Sequence, residues 1–200
     1  FFAFAFISLL FLIGTYLRVV KNREDVFYLA YHDTLTNLPN RAEFERYISE
    51  SIKKKTNKKL IVLFIDLDRF KVINDTLGHD IGDEMLIILG ERIAKVLGEE
   101  NLLARIGGDE FVAVIEGKKD MEKIDVIVAE IASVIRDTIH IREYGLNTTA
   151  SIGIARYPED GKDKSTLLKH ADSAMYHAKD MGGDTYAFYT EQLSIDIQRR

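Results

Sequence analysis

Two hundred residues suit one domain of ordinary size with a short appendage. Hydrophobic residues make up 46% and charged residues 30%, which is globular usage and excludes a disordered tail. Lys and Arg number 27 against 32 Asp and Glu, a net charge of −5, so a general grip on nucleic acid is excluded; cysteine is absent, which removes disulfides, thiolate zinc sites and thiol catalysis.

Residues 1–17 (FFAFAFISLLFLIGTYL) carry no charge, and Arg18, Lys21 and Arg23 follow at once. At 1.5 Å per residue the run through Val20 spans roughly 30 Å, the thickness of a hydrocarbon core. Basic residues after the run, rather than before it, argue against a signal peptide. The expectation is a truncated transmembrane helix over 1–20, with the remainder on the cytoplasmic side of the inner membrane. The start at Phe1 points to a fragment with more protein upstream. Residues 21–32 read as a connector. Val19, Val26 and Leu29 share a coiled-coil-like seam with Asn22 between them; an amphipathic lead-in helix and a parallel stalk both fit.

Asn40-Arg41-Ala42-Glu43 reads as a capping box with Asn in place of Ser or Thr, predicting a helix from there to Lys54. KKKTNKK (53–59) reads as a solvated basic turn, with contact to anionic lipid as the other option. LIVLFID (60–66) is a short branched apolar run, hence a buried strand ending at Asp66, Asp68 and Arg69. A helical stretch follows, then GHDIGD (78–83), then a long helix striped by Met85, Leu86, Leu89 and Ile93. Leu102–Ile106 and Phe111–Ile115 are strands joined through Gly107-Gly108-Asp109-Glu110, a hairpin signal because glycine accepts positive φ. Further on come a helix over Asp120–Ile139, a strand over Thr148–Ala155, a turn at 158–161, a helix over 165–180 and a strand over Thr185–Tyr189. The order predicts an α+β fold, a mostly antiparallel central sheet flanked by helices.

Three acidic sites stand out: Asp66 with Asp68, Asp109 with Glu110, and Asp80 with Asp83 and Glu84. If the hairpin packs beside the first strand, Asp66 converges with Asp109 and Glu110. Clustered carboxylates either stay solvated or hold a cation, and oxygen-only ligands select Mg²⁺ or Mn²⁺. Paired ions of that kind serve phosphoryl and nucleotidyl transfer. Gly107 and Gly108 admit close approach of a phosphate, and Lys71, Lys179 and Arg69 would neutralise its charge. Each feature also has a plain reading: turn chemistry for Asp-x-Asp and for the hairpin, a hydrogen-bonded loop residue for His79. Residue chemistry alone reaches a metal-dependent phosphate-handling site. No nucleophile elbow, Walker loop or His-Glu-x-x-His is present.

Taken together, DTLTNLPNR (33–41), FIDLDRFKVINDTLGHDIGD (64–83), ARIGGDEF (104–111), SIGIARYPEDG (151–161) and ADSAMYHAK (171–179) resemble the GGDEF family of diguanylate cyclases. The resemblance covers residues 31–189. It implies a fold akin to polymerase palms and nucleotidyl cyclases, spanning 33–190 here, and condensation of two GTP into cyclic di-GMP with loss of two pyrophosphates in a homodimer. It implies that Asp66, the carbonyl of Leu67, Asp109 and Glu110 hold Mg²⁺ (or Mn²⁺). Asp109 would accept the ribose 3′-hydroxyl proton, and Lys71 would stabilise phosphate charge. Asn74 and Asp83 would read the guanine edge; Lys179, Gly107 and Gly108 would meet the phosphates.

Two departures stand out. The family's inhibitory Arg-x-x-Asp pair before the hairpin is Gly98 and Asn101 here, so feedback through that site is not expected. The arginine that usually follows Ala-Lys-x-x-Gly is Gly183, with Asp184 after it. Loss of one charged contact costs ~1.5–3 kcal/mol, for which Lys162 or Lys164 would have to compensate. The tail, with 191–200 as a linker helix, resembles the lead into an EAL phosphodiesterase domain; a plain C-terminal helix also fits. The alternative function is therefore a catalytically weak, GTP-binding regulatory module for a fused phosphodiesterase; in the cyclase reading, the membrane helix and connector let a fused upstream sensor shift the population of productive dimers.

Overall fold

A computed structural model of the chain describes residues 26–53, 59–117 and 123–193. The membrane segment expected over 1–20 lies outside these residues, as do Val19 and Asn22, most of the basic turn and most of the tail helix. Among the described residues no helix is long and apolar enough to cross a membrane.

The elements are α1 (Arg41–Lys53), β1 (Leu60–Leu67), α2 (Phe70–Leu77), α3 (His79–Leu97), β2 (Leu102–Gly107), β3 (Glu110–Glu116), α4 (Ile124–Arg136), β4 (Ile139–Ile141), β5 (Tyr144–Leu146), β6 (Ala150–Tyr157), α5 (Lys164–Asp180) and β7 (Thr185–Phe188). The main sheet runs β2-β3-β1-β6-β7. Antiparallel pairing joins β2, β3, β1 and β6, as expected, but β7 lies parallel to β6, so the sheet is mixed.

β1 is central and buried along its whole length because helices cover both faces. Ile61, Leu63, Ile65 and Leu67 pack with Met85, Leu89 and Ile93 of α3 and with Val128 and Ile131 of α4. Val62 and Phe64 pack with Phe44 and Ile48 of α1 and with Ala171 and Met175 of α5. The alternation is that of strand side chains pointing to opposite faces. Gly153 of β6 lets α5 come close: a Cβ there would meet the Ala171 carbonyl oxygen at 1.9 Å.

Several local expectations need correction. Asn40 caps α1, with Oδ1 accepting from the N–H groups of Ala42 and Glu43 at 2.9 and 3.2 Å. The reciprocal half of the capping box does not form, because Glu43 pairs with Arg46 and the Asn40 N–H goes to the Tyr31 carbonyl. The helix expected over Asp120–Ile139 ends at Arg136, and a small hairpin, β4–β5, follows. Ile139 continues the Val128, Ile131, Ile135 stripe at helical spacing, so periodicity alone reads through the break. Residues 26–31 are helical, with Val26 and Leu29 exposed.

Candidate active site

The site forms where β1 leaves the sheet. β3 pairs with β1 so that Asp66 stands directly opposite Glu110. Cross-strand partners point to the same face, so the two carboxylates meet on the side covered by α5. Gly107 and Gly108 form the hairpin tip at φ 150° and 52°, with open space around each. The carbonyl of Asp109 accepts from the Leu67 N–H at 3.4 Å, which ties the tip to the end of β1.

α5 brings a cation to this corner. Lys179 Nζ donates to Asp66 Oδ1 at 2.6 Å. Asp66 is buried, and that burial lifts its carboxyl above the usual range despite Lys179; the charges of Asp109 and Asp68 add to the rise. Burial likewise raises Glu110, with repulsion from Asp66, Asp172 and Asp109. Burial opposes the Lys179 ammonium, but the hydrogen bond and charge of Asp66 outweigh it and raise its pKa. The corner therefore carries excess negative charge that has already drawn in one cation.

Among the described residues, no group of three or more acidic or imidazole side chains stands ready-made around an ion position. The donors brought together are the Asp66 and Glu110 carboxylates and the Asp109 tip, all oxygen. That chemistry, with the ammonium seated on Asp66, fits a hard divalent cation.

Asn74 lies on α2 and Asp83 on α3, which meet at Gly78 (φ 93°). The Asn74 Oδ1 is buried without a hydrogen-bond partner. It is packed against Gly82, where a Cβ would come within 1.9 Å of it. A buried unpaired amide oxygen costs about 1–3 kcal/mol, so a ligand donor there is rewarded. Lys71 is exposed on the first turn of α2, and Arg69 precedes it at φ 58°.

Other expected residues are engaged elsewhere. Asp68 accepts from Thr149 Oγ1 at 2.6 Å, Ser151 Oγ at 2.7 Å and the Asp184 N–H at 2.9 Å, so it braces the strand ends. Glu84 pairs with Arg142 at 2.7 Å. Lys164 pairs with Glu45 at 2.7 Å, which commits it to α1. The Asp184 charge is matched by Arg136 at 2.6 Å. His79 is an exposed first residue of α3.

Sequence reasoning gave no role to Arg105, Asp172 or Arg136. Arg105 donates to both Asp33 and the Gly108 carbonyl. Its position two residues before the glycine pair, on a partly buried strand, was the available signal.

The family described as "Diguanylate cyclase, GGDEF domain" matches residues 30–185. The chain belongs to this GGDEF family. The chain is 38% identical over 181 residues to the bifunctional diguanylate cyclase/cyclic di-GMP phosphodiesterase MucR of Pseudomonas aeruginosa, covering 90% of this chain and 26% of MucR. It is 40% identical over 168 residues to the diguanylate cyclase TpbB of the same species, covering 81% of this chain and 38% of TpbB. The solved GGDEF domain of TpbB (YfiN) superposes with a TM-score of 0.80 at 38% identity, covering 84% of this chain and 99% of that one. The chain thus spans well under half the length of these curated relatives.

Proposed function

We propose that this GGDEF domain condenses two GTP into cyclic di-GMP as one half of a homodimer. The observation that carries the reading is Asp66 set opposite Glu110 at the open end of β1, with Lys179 drawn onto it. Asp66, the Leu67 carbonyl, Asp109 and Glu110 would hold Mg²⁺ (or Mn²⁺). Such an ion, when bound, screens phosphate charge and polarises the reacting oxygens.

The chain's own residues supply the rest. Asn74 and Asp83 read the guanine edge, which offers one acceptor and adjacent N–H donors. The unpaired Asn74 oxygen supports that assignment. Gly107 and Gly108 leave the hairpin tip bare, so the phosphates approach the main chain. Lys71 and Lys179 balance phosphate charge. Asp109 accepts the proton from the ribose 3′-hydroxyl. That oxygen forms a bond to the α-phosphorus of the facing GTP, the bond to the β-phosphate breaks, and pyrophosphate leaves. Two such transfers close the ring, which requires two sites facing across a two-fold axis. Residues 1–20 would anchor the domain to the inner membrane with its catalytic part in the cytoplasm, and an upstream sensor would shift the population of productive dimers.

A second reading, a GTP-binding regulatory module for a fused EAL domain, is favoured by Gly183. At φ 76°, with the Asp68 carboxylate 2.9 Å from where a Cβ would stand, this turn carries no cationic side chain of the kind usual in the family. Purified dimer with Mg²⁺ and GTP, scored for cyclic di-GMP against Asp109→Ala, separates the two. Product from the wild type alone supports the cyclase; bound GTP without product selects the regulator.

A further inference from the structure

The turn joining α5 to β7 is gripped from two sides. Asp68 holds the Asp184 N–H from the sheet side. Arg136, the last residue of α4, holds the turn from the other side: Nε donates to Asp184 Oδ1 at 2.6 Å and Nη2 to the Asp184 carbonyl at 3.3 Å. As a staple the ion pair contributes little, because the two side chains are 46% and 44% exposed. Its geometry does something else. It fixes the guanidinium at the rim of a cavity of about 500 Å³, leaving Nη1 outside the pairing with Asp184.

Arg69, Asn147, Thr148 and Thr149 also line this cavity, beside the first turn of α2. Asp68 is the carboxylate in the lining, and three neutral donors already engage it. The uncommitted donors are therefore Nη1 of Arg136 and the guanidinium of Arg69. A planar guanidinium fork matches a phosphate group in charge and geometry.

We propose that this cavity is a phosphate subsite in which Arg136, aimed by Asp184, works with Arg69 on a phosphate or pyrophosphate group. The proposal rests on the GTP reading above. The group is either the terminal phosphates of a bound nucleotide or free pyrophosphate, and in both cases Arg136 presents from α4, beside the Gly183 turn, a guanidinium donor already oriented by Asp184. No bond is made or broken at this subsite.

Calorimetric titration of the full chain with magnesium pyrophosphate, GMP and a non-hydrolysable GTP analogue tests it. Arg136→Ala should weaken pyrophosphate about tenfold or more and leave GMP unchanged, with part of the loss recovered in Arg136→Lys. The analogue weakens alongside pyrophosphate if the nucleotide's own phosphates occupy the cavity, and holds its affinity if only free pyrophosphate does. Arg136→Gln, which keeps a donor near Asp184, gives the same comparison if the alanine variant does not fold. Unchanged pyrophosphate and analogue binding in the variants overturns the proposal, as does an equal loss for GMP. If the wild type binds neither GMP nor the analogue, the GTP reading fails, and pyrophosphate alone decides for or against the cavity.

Discussion

Arg105 joins Asp33 to the tip of the β2–β3 hairpin with one guanidinium. Nη1 reaches both oxygens of Asp33 at 2.8 and 3.0 Å, while Nε and Nη2 reach the Gly108 carbonyl at 3.0 and 2.8 Å. The side chains are only 12% and 21% exposed. The segment that follows the N-terminal helix is thereby tied to the residue before Asp109. Arg105→Ala strands a mostly buried carboxylate and frees the hairpin tip. It is expected to cost about 2–4 kcal/mol in denaturant unfolding and to depress cyclic di-GMP formation further than lost stability accounts for. Lysine cannot span both acceptors, so Arg105→Lys should recover little. A lysine variant as stable and active as the wild type would show that the bridge is incidental.

The same pair sets a pH dependence. Burial works against the Asp33 charge, but the hydrogen bonds from the Thr36 N–H and from Arg105 overcome it and hold its carboxyl below the usual range. The unfolded chain binds a proton near pH ~3.9, the folded one at lower pH. The stabilisation is therefore complete above the unfolded value and is lost as pH falls through the folded one. Unfolding followed from about pH 5 downward should show the wild type losing stability more steeply than Asp33→Asn. Parallel slopes would remove Asp33 as a contributor.

Much of this arrangement was legible in residue order. A short branched run ending in Asp66 and a glycine hairpin ending in Glu110 predict a convergence, and the register delivers it. What was not legible depends on partners remote in sequence. Asp68 and Asp184 look alike as acids, yet one is consumed by Thr149, Ser151 and a main-chain N–H, and the other by Arg136, which is 48 residues away. The β4–β5 hairpin was hidden because Ile139 satisfies a helical stripe and a strand face equally well. Lys164 offered itself as a phosphate ligand by charge alone; packing of α5 on α1 gives it to Glu45.

Two glycines should separate folding from ligand recognition. At Gly153 a Cβ would meet the main chain of α5, the Ala171 oxygen at 1.9 Å and the Met175 nitrogen at 2.2 Å. Main chain in a packed helix cannot yield cheaply, so Gly153→Ala should cost about 3 kcal/mol or more. At Gly82 the obstacle is the Asn74 side-chain oxygen, again at 1.9 Å. That amide can swing away, so Gly82→Ala should stay folded while guanine nucleotide binding weakens. Thermal unfolding and GTP-analogue titration on both variants check this. Equal destabilisation by the two substitutions would contradict the distinction.

Product feedback is expected to be absent at the inhibitory position usual in the family. Asn101 has both ends of its amide in use, Nδ2 donating to the Leu97 carbonyl at 2.7 Å and Oδ1 accepting from the Glu116 N–H at 3.0 Å. Gly98 closes α3 at φ 75°, and a Cβ there would meet the Glu100 carboxylate at 3.0 Å. An acid stands where a guanidinium would be needed to hold a cyclic dinucleotide's phosphates, and like charge repels. Rates measured with added cyclic di-GMP should therefore fall no more in wild type than in Asn101→Ala. Cyclic di-GMP binding that disappears on replacing Asn101 would mean that this surface recognises the product by other contacts.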